Sequence, residues 1–197
     1  NLLRWFREEM WPGAERGDEA YAAITWEAEQ AERESRSPLL FLPHFYGSFV
    51  PERCAEARGG WLGLTLAHQR ADLALALLEG VALQTAATVR RLVTLGAPAR
   101  DLRMIGGGAR SRFWAQLVAD AVQQPLRLPP VREAAAQGAA LLAAQAAGSS
   151  PPAGVFLGDA EAPVIEPRVS DLPTRLELYE TALARLQPAW RALASTL

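Results

Sequence analysis

A run of three glycines, Gly106–Gly108, is the part of the sequence best suited to binding chemistry. It follows the apolar residues 102–105 and precedes a helical pattern that begins near Arg112, so it joins a predicted strand to a predicted helix. Glycines at such a junction allow the backbone to approach a ligand closely, and the N-terminal end of the following helix attracts negative charge. The sugar and phosphates of a nucleotide meet both conditions. A tight turn with no ligand explains the three glycines equally well.

Other catalytic chemistry finds little support in the sequence. The two histidines, His44 and His68, have neither an acid pair nor a cysteine beside them, which indicates structural or surface roles rather than a metal site. Cys54 is the single cysteine, so no intrachain disulfide can form, and its place in a predicted loop argues against a catalytic thiol. Neither a Gly-x-Ser-x-Gly elbow nor a Walker A motif is present. The sequence therefore predicts no catalytic residue and no metal ligand within this chain.

Length and composition bound the class of protein. The chain has 197 residues, 50% of them hydrophobic, and a formal net charge of −2, which suits a globular domain. This charge gives no reason to expect nucleic acid or a membrane as a partner, and no apolar run approaches the length of a membrane span. Low cysteine content and the lack of a signal peptide predict a cytoplasmic location. Because residue 1 is Asn and falls within a helical pattern, we expect a fragment or a processed piece.

Periodicity and turn residues predict alternating helices and strands that must position the glycine run. Helices are predicted over residues 2–11, 19–36, 72–95, 112–121, 133–147 and 172–193. Strands are predicted over residues 39–45, 102–105 and 125–128, a loop over 47–60 and a flexible link over 148–158. Asp72 is interpreted as the N-cap of the long third helix, and Gly96-Ala97-Pro98 as its end. The alternation predicts an α/β fold.

The order of these motifs resembles the C-terminal domain of the FGGY carbohydrate kinases. That family has the ribonuclease-H-like, actin-like ATPase fold, and the resemblance runs from Leu3-Arg4-Trp5 to the closing helix that contains Tyr179. The glycine run extends to Gly106–Ser111, and Val131–Glu133 leads into an alanine-rich helix. Residues of the family's second signature also have counterparts here, namely Gly59, Trp61, Gly63, Leu64, Asp72, Leu73, Ala76, Leu78 and Glu79. Leu77 departs from that signature because it is bulkier than the pattern prefers.

The resemblance implies ATP and Mg²⁺ as cofactors, and it implies a set of nucleotide-binding residues. These are Gly106, Gly107, Gly108, Ala109, Ser111, Arg112 and Arg4. Gly107 and Gly108 correspond to the loop that packs against the ribose and the α-phosphate. Arg112 corresponds to a residue that contacts the adenine, and Arg4 to a residue that lies near the nucleotide. A solvated helix face is the alternative for both arginines.

The resemblance also implies how the chain is divided. Residues 1–148 are predicted to form the C-terminal nucleotide-binding lobe of the kinase, and residues 149–197 a linker and a C-terminal helix on the same lobe. Gly138 and Ala139 correspond to a segment at the interdomain hinge, where small side chains allow two lobes to close. The expected partners are an N-terminal kinase lobe and a small sugar or polyol substrate, and a homodimer is left open.

The implied activity of the whole enzyme is transfer of the ATP γ-phosphoryl group to a sugar hydroxyl, as in xylulose kinases. The GGGARS run and Trp114 resemble xylulose kinases, whereas Val131–Glu133 resembles glycerol kinases. Residues 47–52 lack the acid–arginine pair of many xylulose-kinase-like members. The alternatives are a glycerol or other polyol kinase, or a non-catalytic fragment that binds nucleotide or packs against a partner. The catalytic Asp and the hairpin for Mg²⁺ and phosphates are implied to lie upstream, so the chain alone is expected to be inactive.

Overall fold

Helices and short strands alternate along the chain. The computed structural model describes residues 2–11, 17–34, 39–51, 53–130, 133–149 and 162–196. Its helices are α1 Leu2–Met10, α2 Asp18–Glu34, α3 Arg70–Thr94, α4 Arg112–Val122, α5 Ala134–Ala146 and α6 Leu172–Ala194, with a 3₁₀ helix at Gly107–Arg110. Its strands are β1 Leu40–Leu42, β2 Gly60–Leu62, β3 Leu102–Arg103, β4 Leu126–Arg127 and β5 Val164–Ile165. The predicted mixture of helix and sheet is confirmed.

The helices match their predicted ends closely, but the strands are shorter than predicted. β1 pairs antiparallel with β2 from Leu40↔Leu62 to Leu42↔Gly60 and does not continue to residue 45. Pro43 follows β1 directly and has no N–H with which to extend the ladder. Predictions that fall on residues 1, 35–36, 52, 131–132 and 150–158 lie outside the described residues.

The start of α3 corrects the prediction for Asp72. The N-cap is Gln69, and the helix begins at Arg70, so Asp72 lies inside the first turn. Its Oδ2 accepts a hydrogen bond of 2.8 Å from the backbone N–H of Gln69. A carboxylate at this position satisfies a free N–H and complements the helix dipole, so Asp72 stabilises the start of the helix from within it.

Helix α3 is the central element of the core. It packs against α2, α4, β1 and α6. Although no apolar run was expected to reach the length of a membrane span, α3 is long and apolar enough to do so by length and composition. However, 67% of its most apolar window is buried within the fold, as in the core helix of a packed domain. At Gly80 the helix lies very close to β1, because an added Cβ would lie 2.4 Å from the carbonyl oxygen of Phe41.

A three-stranded sheet leads the chain into the glycine run. β3 pairs parallel with β4, and β4 pairs antiparallel with β5, which sequence reasoning did not predict. The backbone N–H of Met104 donates to the carbonyl of Arg127 over 2.9 Å, so pairing with the β4 strand continues one residue beyond β3. Asp120, fully buried on α4, accepts hydrogen bonds from the backbone N–H and the Nε of Arg168, over 2.7 and 2.9 Å. This network ties the segment after β5 to α4.

The last two helices differ in how they pack. α6 lies against α3, α4 and β1, and buries Leu172, Leu176, Tyr179 and Trp190. In contrast, α5 has no buried residue. The division of the chain near residue 148 stays a prediction, because the residues between α5 and β5 are mostly outside the described part.

Candidate functional site

A cavity of about 760 Å³ lies where α1, α2, α3 and the glycine run meet. Its described lining residues are Leu2, Leu3, Arg4, Asp18, Tyr21, Ala22, Thr25, Leu77, Val81, Gly107, Gly108, Arg110, Ser111 and Trp114. Residues from four separate stretches of sequence therefore surround one space. The volume is within the range of sites that hold a small ligand or cofactor.

The glycine run forms one wall of this cavity. Gly106 has φ 82° and ψ −162°. This positive-φ conformation favours glycine and redirects the chain after β3. Gly107 then begins the 3₁₀ helix, and an added Cβ there would meet no atom within 4 Å. The backbone at Gly107 therefore faces open space, as a ligand-binding loop requires.

Gly108 lines the cavity and also lies close to side chains of the protein itself. An added Cβ would lie 2.8 Å from Met104 Cε and 3.4 Å from two ring atoms of Trp114. A side chain at Gly108 would therefore press first on its protein neighbours. The open space in front of the loop is at Gly107.

Ser111 and Trp114 build the junction between the glycine run and α4. Ser111 is the N-cap of α4, and its Oγ accepts a hydrogen bond of 3.1 Å from the backbone N–H of Trp114. The indole Nε1 of Trp114 donates to the carbonyl of Leu78 over 3.2 Å and so fixes α4 against α3. Ser111 therefore faces the cavity while its hydroxyl is engaged in capping the helix.

The predicted site residues divide into two groups. Arg4, Gly107, Gly108 and Ser111 line the same cavity, although Arg4 is more than a hundred residues away in sequence. Gly106, Ala109 and Arg112 do not line it. Arg112 is the first residue of α4 and is exposed. The structure thus places it at the surface, which fits the alternative of a solvated helix face.

Helix α2 supplies a wall that sequence reasoning missed. Asp18, Tyr21, Ala22 and Thr25 are spaced i, i+3, i+4 and i+7, which puts them on one helix face. That spacing is visible in the sequence, but no local signal says that this face meets the glycine run. Tyr21 is held by Arg7, whose Nη1 donates to the phenol oxygen over 3.2 Å and whose guanidinium lies 5.1 Å from the ring centroid.

The charges at the cavity are few and include one ion pair across two walls. Arg110 of the 3₁₀ helix lies 2.5 Å from Asp18 at the start of α2, measured from Nη1 to Oδ2. Among the described residues that line the cavity, Asp18 is the only carboxylate and Arg4 and Arg110 are the only cations. No group of three or more His, Cys, Asp or Glu suited to a metal ion occurs among the described residues. The described residues therefore offer no cluster of side chains that could hold Mg²⁺ without further ligands.

A second cavity, of about 320 Å³, lies between α6, the C-terminal half of α3 and the loop that follows β1. It contains none of the predicted site residues.

The structure also shows the surroundings of the histidine and the cysteine that the sequence singled out. His44 is buried and its Nε2 lies 3.0 Å from the hydroxyl of Tyr179, so it is a structural histidine as expected. Cys54 is buried in the loop beside this second cavity.

The chain is similar to known carbohydrate kinases. Residues 1–147 match the model of the FGGY family of carbohydrate kinases, C-terminal domain. The chain is 36% identical over 110 residues to a xylulose kinase from Staphylococcus epidermidis, covering 56% of this chain and 22% of that protein. It is 30% identical over 154 residues to a gluconokinase from Bacillus subtilis, covering 75% of this chain and 30% of that protein.

The fold agrees with that of solved kinases. The crystal structure of xylulose kinase from Rhodospirillum rubrum superposes with a TM-score of 0.76 at 31% identity, over 96% of this chain and 38% of that one. The chain thus spans about a fifth to two-fifths of the length of these relatives. It has the actin-like ATPase fold of their C-terminal domain, as predicted. On these grounds, the chain belongs to the FGGY family of carbohydrate kinases and comprises its C-terminal domain.

Proposed function

We propose that the larger cavity binds the adenosine part and the first phosphates of ATP in the complete protein. The observation that carries this proposal is the meeting of the glycine run, Arg4 and one face of α2 around a single cavity of about 760 Å³. Leu3, Leu77 and Val81 supply apolar surface for a base, while the open backbone at Gly107 supplies room for the sugar and phosphate.

The complete protein is proposed to transfer the γ-phosphoryl group of ATP to a hydroxyl of a small sugar. Such transfer depends on holding the two substrates in line and on stabilising charge. This chain contributes the nucleotide-side wall of the site. Because the described residues offer no cluster of metal-ligating side chains, the Mg²⁺ site and the catalytic base are expected on other residues of the complete protein.

Xylulose or a related ketose is the proposed substrate, and glycerol, another polyol or gluconate are the alternatives. The named relatives include both a xylulose kinase and a gluconokinase, so family membership alone does not select one. The 131–132 part of the run that resembles glycerol kinases lies outside the described residues. A cytoplasmic location remains part of the proposal.

The nucleotide site is tested most directly at Gly107. In the full-length protein, Gly107→Val places a side chain in the open space in front of the loop, and we expect ATP affinity measured by calorimetry to fall at least about tenfold. The matched control is Gly60→Ala, where an added Cβ also meets nothing within 4 Å but which lies outside the cavity. Unchanged ATP affinity in a folded Gly107→Val variant would contradict the site.

A substrate panel tests the reaction itself. The full-length protein is supplied with Mg·ATP and ketoses, aldoses, polyols or gluconate, and ADP release is followed in a coupled assay. Xylulose-dependent release supports the proposed substrate, and release with another acceptor selects one of the alternatives. No release with any of them, under conditions where the protein binds ATP, favours a non-catalytic nucleotide-binding role.

A further inference from the structure

The ion pair between Asp18 and Arg110 occupies a distinctive place. Asp18 is the first residue of α2, Arg110 is the last residue of the 3₁₀ helix, and the pair joins two walls of the larger cavity over 2.5 Å. Both side chains line that cavity together with Gly107, Gly108 and Ser111. The guanidinium of Arg110 therefore lies beside the loop at which the nucleotide phosphates are proposed to bind.

The pair is weak enough to exchange partners. The side chains of Arg110 and Asp18 are 55% and 81% exposed, and exposed ion pairs of this kind contribute little to stability. The phosphate chain of a nucleotide carries more charge than one carboxylate and presents several acceptor oxygens, which the planar guanidinium can bind in pairs. Among the described lining residues, only Arg4 and Arg110 can offer a full positive charge to a nucleotide.

We infer that Arg110 binds a phosphate group of the nucleotide, and that Asp18 holds the same guanidinium when the nucleotide is absent. This inference rests on the proposed function of the cavity. On binding, the Arg110–Asp18 ion pair opens and an Arg110–phosphate pair takes its place. Asp18 is then a competitor for the nucleotide, so it lowers phosphate affinity without touching the base or the sugar.

Replacing Arg110 should change the affinity for nucleotides that carry phosphate and leave the affinity for adenosine nearly unchanged. In the full-length protein, Arg110→Met keeps an unbranched apolar side chain and removes the charge. We expect affinity for ATP and ADP to fall about tenfold or more, since a charge-assisted hydrogen bond is lost, while affinity for adenosine changes less than about twofold. Asp18→Asn frees Arg110, so affinity for ATP and ADP is expected to rise about two- to fivefold.

A double variant tests whether Asp18 acts through Arg110, and a control variant tests whether any broken ion pair on α2 has the same effect. If Asp18 acts through Arg110, Asp18→Asn gives no gain in affinity when Arg110→Met is already present. The matched control is Arg33→Met, which breaks an exposed ion pair to Glu29 on α2 away from the cavity and is expected to leave nucleotide affinity unchanged. All affinities are measured by calorimetric titration or displacement, with circular dichroism to confirm folding.

The outcomes separate this inference from the proposed function. If wild-type protein binds ATP but Arg110→Met binds ATP and ADP as well as wild type does, the inference is wrong and the site stands. If Arg110→Met weakens adenosine and ATP equally, Arg110 only braces the two walls and the inference is also wrong. If wild-type protein binds none of the three ligands, the proposed site and the inference both fail.

Discussion

Arg175 on α6 and Glu79 on α3 form a buried ion pair, with 2.6 Å between Nη1 and Oε2 and side chains only 14% and 1% exposed. Arg175 also donates through Nη2 to the carbonyl of Leu39, the residue before β1. One guanidinium therefore joins α6, α3 and the chain entering β1. Glu79 matches the acid of the family's signature, and the structure gives that acid a packing role at the centre of the domain.

Removing one partner of this pair is expected to loosen α6. Arg175→Met takes the cation away from a buried carboxylate, a change that typically costs about 3–5 kcal/mol of unfolding free energy. The measurement is amide hydrogen exchange by mass spectrometry over residues 172–194. Arg90→Met is the matched control, because Arg90 pairs with Glu180 between the same two helices at 46% and 34% exposure. Equal exchange rates in the two variants would show that burial of the pair is unimportant.

Gly80 sets the distance between α3 and β1. An added Cβ there would lie 2.4 Å from the Phe41 carbonyl oxygen and 2.9 Å from Phe41 Cδ1. Because the first of these is backbone, Gly80→Ala must shift the strand or the helix, and we expect it to lower the unfolding free energy by about 1–3 kcal/mol despite the higher helix propensity of alanine. Thermal unfolding, with Gly60→Ala as the control, tests this; a melting temperature at or above wild type for Gly80→Ala would refute it.

We expect the stability of the domain to decrease as the pH is lowered, because His44 is buried. Burial lowers the pKa of His44 below its ordinary value of 6.5, so the folded state keeps this ring neutral. Tyr179 donates its hydroxyl proton to Gln84 Oε1, and therefore accepts the Nε2–H of a neutral His44. As pH falls below about 6.5, the unfolded chain binds a proton that the folded chain does not, and stability decreases until the folded pKa is reached.

The measurement is the melting temperature between pH 7.5 and 5 for wild type and for His44→Gln. We expect the wild type to lose more stability over this range than the variant, because the variant has no titrating ring at position 44. Parallel curves for the two proteins would mean that other groups account for the acid sensitivity.

Lobe closure can be tested on helix α5 with a substitution that leaves the fold of this domain intact. An added Cβ at Gly138 meets no atom of the described residues within 4 Å, so Gly138→Leu fits this domain without a clash. If Gly138 and Ala139 lie at the hinge, as the family resemblance implies, Gly138→Leu blocks closure in the full-length protein. We expect kcat to fall about 10- to 100-fold with ATP affinity little changed. Gly138→Ala is the control, and wild-type turnover in Gly138→Leu would rule the hinge role out.

The 197-residue chain by itself is expected not to phosphorylate any sugar. The described residues supply the cavity that is proposed to bind nucleotide but no cluster suited to a metal ion, and loss of a general base alone typically costs about 10²–10⁴-fold in rate. A coupled ADP-release assay compares this chain with the full-length protein on the same acceptor panel. Sugar-dependent turnover by the isolated chain near the full-length rate would mean that the catalytic groups lie within it.

Local patterns in the sequence were enough to predict the helices, the α/β class and the junction that the glycine run makes between a strand and a helix. These features depend on spacing within one stretch of chain, as in the strand–Gly106–helix junction or the end of α3 at Gly96. The ordered motifs also identified the family, since each carries its own local signal. Strand lengths and β5 were missed, because a strand forms only where a partner strand meets it, as Leu126 meets Ile165.

Tertiary structure alone decided which residues share the site. Arg4, Tyr21 and Gly107 become neighbours only when α1 and α2 pack beside the glycine run, a long-range arrangement that no local period encodes. The same packing placed Gly108 beside Met104 and Trp114, left Arg112 at the surface, and brought Asp18 to Arg110. The sequence determined which chemical groups were present, and the packing of distant segments determined which of them face one another.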